Sequence, residues 1–358
     1  MWKSLKDRAE GVKEMKRMKT TEAVGQVLCH DITQIIPGVT KDAVFRKGHI
    51  IREEDIPVLL SVGKDSVYIW ENDETMMHEN DAAEVLYRMT ANEHMHPSDV
   101  KEGKIEVIAD TEGLLKVDRE KLKKVNAFGE MMIATRHGNT VVKKGDKLAG
   151  TRIIPLVIKK DKMQEAEKIC DGTPILKILP FTVKKAAIST TGNEVYHGRI
   201  KDAFTPVIEQ KIAEFGAEMM FHEIFDDNDR KITDGCLRAI EAGADIVFCT
   251  GGMSVDPDDK TPLAIKNTGA EMISYGSPVL PGAMFLLSYY RKGDKVIPIC
   301  GLPGCAMYNR RTIFDLVLPR LMAADPVTAD ELASLGEGGL CLNCKVCTFP
   351  NCGFGKGW

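Results

Sequence analysis

The stretch DIVFCTGGMSVDPDDKTP, residues 245–262, decides the fold of the second half of this chain. It begins with an apolar run of strand length that ends at Gly251-Gly252, which is typical of a buried strand entering a loop. Three other strand-like runs end in the same way, in loops of small or acidic residues: TTGNE at 190–194, DDND at 226–229 and GLPG at 301–304. The second half therefore repeats one pattern, a strand followed by a polar loop and a helix.

Strands and helices alternate around these loops. The predicted strands are KKAAIST, AEMMFHEIF, ADIVFCT and KVIPIC, and the predicted helices are FTPVIEQKIAEFG, RKITDGCLRAIEAG, TPLAIKNTG and AMYNRRTIFDLVLPRLM. Such alternation predicts an α/β fold with a doubly wound, mostly parallel sheet that carries helices on both faces. Because ligands of such sheets bind beyond the carboxyl ends of the strands, the four loops are the candidate site.

The composition of the loops indicates a phosphate-bearing ligand. Small residues let backbone N–H groups approach an anion closely, and the following helix N-termini add a favourable field. The acidic residues could hold a divalent metal. The alternative interpretation, tight turns and helix caps without a ligand, stays open for each loop taken singly.

Residues from about 182 to 325 resemble the molybdopterin-binding domain of molybdenum cofactor biosynthesis proteins. The matching motifs are ISTTGNEVYHGRIKD, FDDNDRKI, DIVFCTGGMSVDPDDKTP and GLPG before a long helix. The resemblance implies molybdopterin as ligand, Asp227 and Asp259 as catalytic residues with Asp226 as the fallback for Asp227, and Mg²⁺ held by acidic side chains and phosphate oxygens. The cofactor-binding residues that it implies are Thr191, Gly192, Asn193, Glu194, Gly251, Gly252, Ser254, Gly301, Pro303 and Gly304.

The first half extends the resemblance more weakly. TEAVGQVLCHDI and FRKGHIIREEDIPVLLSVGKDSVYIW are similar to segments of molybdopterin molybdenumtransferases, which insert molybdate into adenylated molybdopterin and release AMP. The chain is thus identified as a divergent relative of these enzymes. The predicted division is a polar lead-in at 1–20, a mixed α+β and β-rich region at 21–180, the molybdopterin-binding domain at 181–325 and a tail at 326–358.

Some positions depart from the family pattern. Residues 279–284 read VLPGAM and lack the two lysines that the family often has there, and Cys305 stands where an Asn is usual. Two functions therefore stay open: insertion of molybdate or tungstate, and a non-catalytic carrier, chaperone or sensor that delivers the cofactor to a molybdo- or tungstoenzyme. AMP release from adenylated molybdopterin discriminates between them.

The tail contains a cluster of four of the chain's ten cysteines: Cys341, Cys344, Cys347 and Cys352. Four thiolates at this spacing suit Zn²⁺ or an iron–sulfur cluster, and no histidine lies nearby to replace one of them. A flexible tail with free thiols is the alternative. The six other cysteines fall in strands and helices and are predicted to belong to the core.

Composition limits the partners of the chain. The 358 residues carry a net charge of −4, which gives no electrostatic reason to expect nucleic acid or an anionic membrane as partner. No apolar run approaches about 20 residues, and the charged start lacks the apolar core of a signal peptide, so the expected location is the cytoplasm. The expected partners are pterin and nucleotide-type small molecules, and the resemblance implies a homodimer formed through the N-terminal half.

Overall fold

A computed structural model describes residues 16–36, 40–69, 74–254, 256–257 and 259–357. The chain forms two compact units. The first extends through residue 111 and includes 117–136 and 144–177, and the second contains 112–116, 137–143 and everything from 178 onward.

The strands are β1 (Arg17–Lys19), β2 (Ile32–Ile36), β3 (Thr40–Phe45), β4 (Ser66–Tyr68), β5 (Met76–His78), β6 (Met95–Pro97), β7 (Lys104–Ala109), β8 (Gly113–Val117), β9 (Met131–Thr135), β10 (Thr140–Val142), β11 (Lys147–Ile153), β12 (Val157–Lys159), β13 (Leu176–Leu179), β14 (Lys185–Thr191), β15 (Glu218–Phe225), β16 (Ile246–Thr250), β17 (Glu271–Tyr275), β18 (Leu286–Lys292) and β19 (Lys295–Leu302). The helices are α1 (Asp55–Ser61), α2 (Glu79–Thr90), α3 (Arg119–Ala127), α4 (Lys160–Cys170), α5 (Asn193–Tyr196), α6 (Thr205–Ala213), α7 (Asp229–Glu241), α8 (Thr261–Asn267), α9 (Ile313–Met322) and α10 (Ala329–Ser334).

The first unit is built from small antiparallel sheets. β1 pairs with β4, β2 with β3, and β12 with β5, while β6, β7, β11 and β9 form a four-stranded sheet in that order. The segment that contains α1 has its own apolar cluster, in which Leu28, Ile32 and Leu59 are fully buried. The small sheets around α1 are therefore stabilised by an apolar core of their own.

The second unit is organised around a six-stranded sheet with the order β15-β14-β16-β19-β18-β17. The first four strands are parallel, and β18 and β17 continue the sheet in antiparallel fashion. The predicted fold class, an α/β sheet with mostly parallel strands, is confirmed. The sequence pattern did not predict β17 and β18, which together add an antiparallel edge to the sheet.

Each face of this sheet buries a separate apolar cluster. Ile188 and Phe248 face a cluster that also contains residues of α6 and α9, whereas their neighbours Ala187 and Val247 face a cluster with residues of α7 and α8. This is the alternation expected of a strand covered on both sides. Five of the six scattered cysteines are buried, which confirms their predicted core placement, whereas Cys305 is only partly buried.

The last long helix is shorter than the sequence pattern predicts. A single 3₁₀ turn covers Gly304–Ala306, and α9 begins only at Ile313. Thr312 stops the helix from extending backwards because its hydroxyl accepts a hydrogen bond from the Phe314 N–H, while the Asp315 carboxylate accepts one from the Thr312 N–H at 2.8 Å. This reciprocal capping box fixes the start of α9.

Within the part of the chain that the structure describes, no helix combines the length and the apolar character that crossing a bilayer requires.

Candidate functional site

Four loops meet at one edge of the six-stranded sheet. In the parallel register Thr191 lies opposite Phe225, Thr190 opposite Thr250, and Thr250 opposite Leu302. The chain therefore leaves β14, β15, β16 and β19 at the same level of the sheet. The structure thus brings together the four loops that the sequence marked as a candidate site.

The glycine loop after β16 is packed tightly against β14. Gly251 has a φ of +81°, and a Cβ there would lie 2.1 Å from the carbonyl oxygen of Thr191. Gly252 has a φ of +55°, and its Cβ would lie 2.8 Å from the Thr261 hydroxyl, which is itself 3.0 Å from the Thr191 hydroxyl. Both glycines are therefore required by the protein's own packing, in addition to any ligand that the loop admits.

The acidic turn after β15 gives each side chain a different partner. One Asp227 carboxylate oxygen accepts a hydrogen bond from the backbone N–H of Asn193 at 3.1 Å, which joins this turn to the loop after β14. Asp226 forms an ion pair with Lys231 at 2.7 Å, and the Asn228 side chain caps α7. Of the two candidate carboxylates, Asp227 is therefore the one that contacts the predicted ligand-binding loop.

Asp259 lies just before α8, at the other end of the glycine loop. Its backbone N–H donates to the Asp256 carbonyl at 3.0 Å, and α8 starts two residues later at Thr261, with Pro262 in its first turn. Ser254 is exposed on the same loop, and residues 255 and 258 lie outside the described residues. Asp227 and Asp259 thus belong to two of the loops that meet at this edge.

Tyr275 is a site residue that the sequence analysis missed. Its hydroxyl donates to the Met253 carbonyl at 3.1 Å, so the last residue of β17 holds the glycine loop. Burial, together with the negative charge of Asp259, raises the pKa of Tyr275 and keeps the hydroxyl in the donor form. No motif marks this tyrosine, because it reaches the loop through a strand that the sequence pattern did not predict.

Asp202 is a second site residue that was not predicted from the sequence. Its carboxylate accepts hydrogen bonds from the hydroxyls of Thr190 at 3.0 Å and Thr205 at 2.6 Å, and it lies 3.4 Å from the His222 ring. Burial raises the pKa of Asp202, but the hydrogen bonds from Thr205 and Thr190 outweigh this and lower it below its usual value. Asp202 therefore remains ionised and ties the loop after α5 to the end of β14.

The predicted residues of the other loops have different surroundings. Thr191 is buried, whereas Glu194 is exposed in the short helix α5. A Cβ at Gly301 would lie 2.5 Å from the Met253 side chain, so this glycine makes room for a buried methionine and does not open toward solvent. Gly304 has no atom within 4 Å of the corresponding position, and it follows the buried Pro303.

The structure does not support the predicted metal centre in the cysteine tail. Among the described residues there is no group of three or more His, Cys, Asp or Glu side chains placed to hold a metal ion. Cys341 and Cys352 lie partly buried against the apolar cluster of the second unit, while Cys344 and Cys347 are exposed. The four thiols of the tail are therefore not arranged as one ligand set among the described residues.

Two parts of the chain match known protein families. Residues 187–323 match the sequence model of the family described as "Probable molybdopterin binding domain", and residues 17–71 match a family described as a domain of unknown function. The resemblance predicted from the motifs is confirmed, since residues 187–323 match the model of this family.

Curated relatives are similar to this chain over part of their own length. A protein of Bacillus cereus (strain B4264) named as competence-damage inducible is 29% identical over 129 residues, which are 36% of this chain and 30% of that protein. A protein of the same name from Bacillus subtilis (strain 168) is 31% identical over 85 residues, which are 24% of this chain and 20% of that protein. The chain thus spans less than a third of the length of these relatives.

Solved structures also match. The tungsten cofactor synthesizing protein MoaB from Pyrococcus furiosus is 19% identical over 39% of this chain and 89% of its own, with a TM-score of 0.32. A molybdenum cofactor biosynthesis protein from the same organism is 13% identical over 89% of this chain and 65% of its own, with a TM-score of 0.24.

Proposed function

We propose that the second unit binds molybdopterin at the four strand-end loops and that the protein inserts molybdate or tungstate into the adenylated cofactor. The observation that carries the proposal is the contact between Asp227 and the Asn193 backbone, at the same edge where the glycine loop leaves β16. It joins the acidic turn after β15 to the loop after β14, and the family motif assigns both to the ligand. The match of residues 187–323 to the molybdopterin-binding family supports the choice of ligand.

Asp227 and Asp259 have the donor chemistry for Mg²⁺, which usually takes one or two carboxylates and fills its other positions with water and substrate phosphate oxygens. When bound, the ion would neutralise phosphate charge during transfer. Asp227 is oriented by the Asn193 N–H, and Asp259 by the turn that precedes α8. Asp227 and Asp259 thus belong to the loops after β15 and β16, the two strands that flank β14 in the sheet.

The alternative function is a non-catalytic carrier of the cofactor. It is favoured by residues 279–284, VLPGAM, which offer no cation where the related enzymes often have lysines. A carrier binds molybdopterin but releases no AMP when adenylated molybdopterin and molybdate are supplied together. Measurement of AMP release therefore separates the two functions.

We expect Asp227→Ala and Asp259→Ala to lower Mg²⁺-dependent AMP release by roughly 100-fold or more, as removal of a charged active-site group commonly does. Both variants should keep the wild-type melting temperature within a few degrees. Asp234→Ala is the matched control, because Asp234 is an exposed carboxylate further along α7. Wild-type rates in both site variants would contradict the catalytic assignment.

We also propose that the protein is a homodimer formed through the first unit. Val24, Val27 and Ile50 are large apolar residues that are 43%, 37% and 57% exposed, and Val27 pairs directly with Ile50 in a β-bridge. Val27 and Ile50 therefore form an exposed apolar pair that a second copy could cover.

Ile50→Lys should therefore give the mass of one chain in light scattering at micromolar concentration, where the wild type gives the mass of two. Ile154→Lys is the control. Ile154 is also exposed in the first unit, but it directly follows β11 of the four-stranded sheet. A wild-type protein that returns the mass of one chain would defeat the proposal, and dissociation by Ile154→Lys alone would move the interface.

A further inference from the structure

Two of the four tail thiols lie on one exposed loop. Cys344 and Cys347 are exposed, whereas the other eight cysteines of the chain are buried or partly buried. Every residue from 342 to 348 is exposed, and the chain bends at Lys345 and Val346, the two residues between the thiols. Cys344 and Cys347 therefore form a Cys-x-x-Cys pair at the surface of the second unit, which we call the exposed pair.

Two arginines hold this loop. The Arg310 guanidinium donates to the carbonyl oxygen of Lys345 at 3.0 Å. Burial lowers the pKa of Arg311, but its hydrogen bonds to the side chains of Asp315 and Cys347 outweigh this and raise it. Because a guanidinium can only donate, the Cys347 sulfur is the acceptor of its bond with Arg311. One thiol of the exposed pair thus lies against a permanent positive charge.

This charge gives the Cys347 sulfur the surroundings of a nucleophile. The thiolate is the species that attacks a disulfide, and a neighbouring arginine stabilises it. The Asp315 carboxylate lies 2.8 Å from the Arg311 guanidinium, and the Phe349 ring centre lies 4.8 Å from it. Both contacts keep the guanidinium in place beside the sulfur.

The charges around the exposed pair select the kind of molecule that can react. Residues 338–358 contain Lys345 and Lys356 but no Asp or Glu, and the exposed Arg310 contacts the same loop. A disulfide that carries carboxylates is therefore attracted to this loop, whereas a cationic disulfide is repelled.

Cys341 has the same spacing to Cys344 but different surroundings. It is partly buried against the apolar cluster of the second unit, and its backbone N–H donates to the Leu280 carbonyl at 2.8 Å. Cys352 packs against the same cluster. A disulfide requires Cα atoms within about 7 Å and Cβ atoms that point toward each other. The loop of Cys344 and Cys347 can adjust to this geometry without a change in that packing, so Cys347 is the partner of Cys344.

We propose that Cys344 and Cys347 are a redox-active dithiol that exchanges with small anionic disulfides. First, the Cys347 sulfur attacks one sulfur of the disulfide, whose S–S bond breaks, and the departing thiolate takes up the proton that Cys347 lost. The Cys344 sulfur then attacks the Cys347 sulfur of this mixed disulfide, and the second departing thiolate takes up the Cys344 proton. The protein loses two electrons and gains one S–S bond, while the small disulfide is reduced to two thiols.

The first test incubates the reduced full-length protein with the anionic glutathione disulfide, then alkylates the remaining thiols under denaturing conditions for peptide mass spectrometry. We expect one internal disulfide, between Cys344 and Cys347. Cys344→Ser should stop after the first step and accumulate glutathione on Cys347. The double variant Cys341→Ser/Cys352→Ser is the control and should form the same disulfide as the wild type.

The second test measures the selection by charge. Rates with glutathione disulfide and with the cationic disulfide cystamine are each taken relative to the rate of 2-mercaptoethanol with the same disulfide. At low ionic strength we expect the wild type to favour glutathione disulfide about tenfold, and added salt should reduce this ratio. Lys345→Glu should lower the ratio as well.

Arg311→Gln tests the contact with the sulfur. It should slow exchange at Cys347 about tenfold when combined with Cys344→Ser, because the charged donor is lost. Combined with Cys347→Ser, it should leave exchange at Cys344 unchanged. A general loss of structure would change both rates, and thermal melts establish that each variant is folded.

The outcomes are distinct. A disulfide between Cys341 and Cys344, or one that includes Cys352, would overturn the proposal, and so would mixed disulfides on the wild type without an internal bond. Unreactive tail thiols in a protein that carries stoichiometric zinc or iron would also overturn it, since the sulfurs would then be metal ligands. Equal relative rates with the two disulfides would refute the anionic class of substrate.

Discussion

Gly251→Ala should lower the free energy of unfolding of the second unit by about 3 kcal/mol, the sum of two penalties. The first is backbone strain, because an L-residue at a φ of +81° costs about 1–2 kcal/mol. The second is overlap, because the new Cβ would lie 2.1 Å from the carbonyl oxygen of Thr191. Relief requires movement of the backbone between neighbouring strands, and forced repacking of this kind typically costs about 1–3 kcal/mol.

Denaturant unfolding of the full chain, followed by a probe in the second unit, measures this loss. Gly304→Ala is the matched control, since a Cβ at Gly304 meets no atom within 4 Å. We expect it to change the stability by no more than about 0.5 kcal/mol. Equal stabilities of the two variants would show that the glycine loop can move to accommodate a Cβ at residue 251. The close packing against Thr191 would then not require a glycine there.

The two glycines show where prediction from sequence ends. The apolar run before Gly251 and the helix after it were enough to place a strand, a loop and a helix, because their periodicities are local properties of the chain. The close approach of the loop to Thr191 is not local, since it depends on the pairing of β14 with β16. The sequence therefore indicated a loop suited to a ligand, but not that the protein itself needs both glycines.

Non-local contacts also account for the residues that the sequence analysis missed. Tyr275 reaches the glycine loop from β17, which pairs in antiparallel fashion and follows a loop without a motif. Asp202 was visible as part of a motif, but its hydrogen bonds to residues of β14 and α6 became apparent only in the fold. In both cases the residue type alone did not indicate a place in the site, because that place depends on hydrogen bonds to residues of other elements.

The tail contrasts with the loops, because a strong sequence motif led to an interpretation that the structure does not support. The spacing of four cysteines predicted a Zn²⁺ or iron–sulfur site in the tail. The structure instead buries Phe354 in the apolar cluster of the second unit, at 5% exposure. Backbone hydrogen bonds from Leu280 to Gly339 and from Cys341 to Leu280 extend the same attachment. A cysteine count carries no information about such packing.

Phe354→Ala should therefore destabilise the second unit by about 3 kcal/mol, the usual cost of truncating a buried phenylalanine to alanine. A chain that ends at residue 336 should lose at least as much, because it also removes Phe349, whose ring lies 4.8 Å from the Arg311 guanidinium. Val346→Ala serves as the control, since Val346 is 76% exposed, and we expect a change of no more than about 0.5 kcal/mol.

The same variants decide between packing and metal as the force that holds the tail. If packing holds it, a chelator leaves the melting temperature of the wild type unchanged, and replacement of the exposed Cys344 and Cys347 by serine has little effect. If a metal holds it, both treatments should destabilise the protein as much as Phe354→Ala does, since binding energy at a structural site is folding energy. A chelator-sensitive melt with a stable Phe354→Ala variant would thus restore the four-thiolate centre and refute the packing argument.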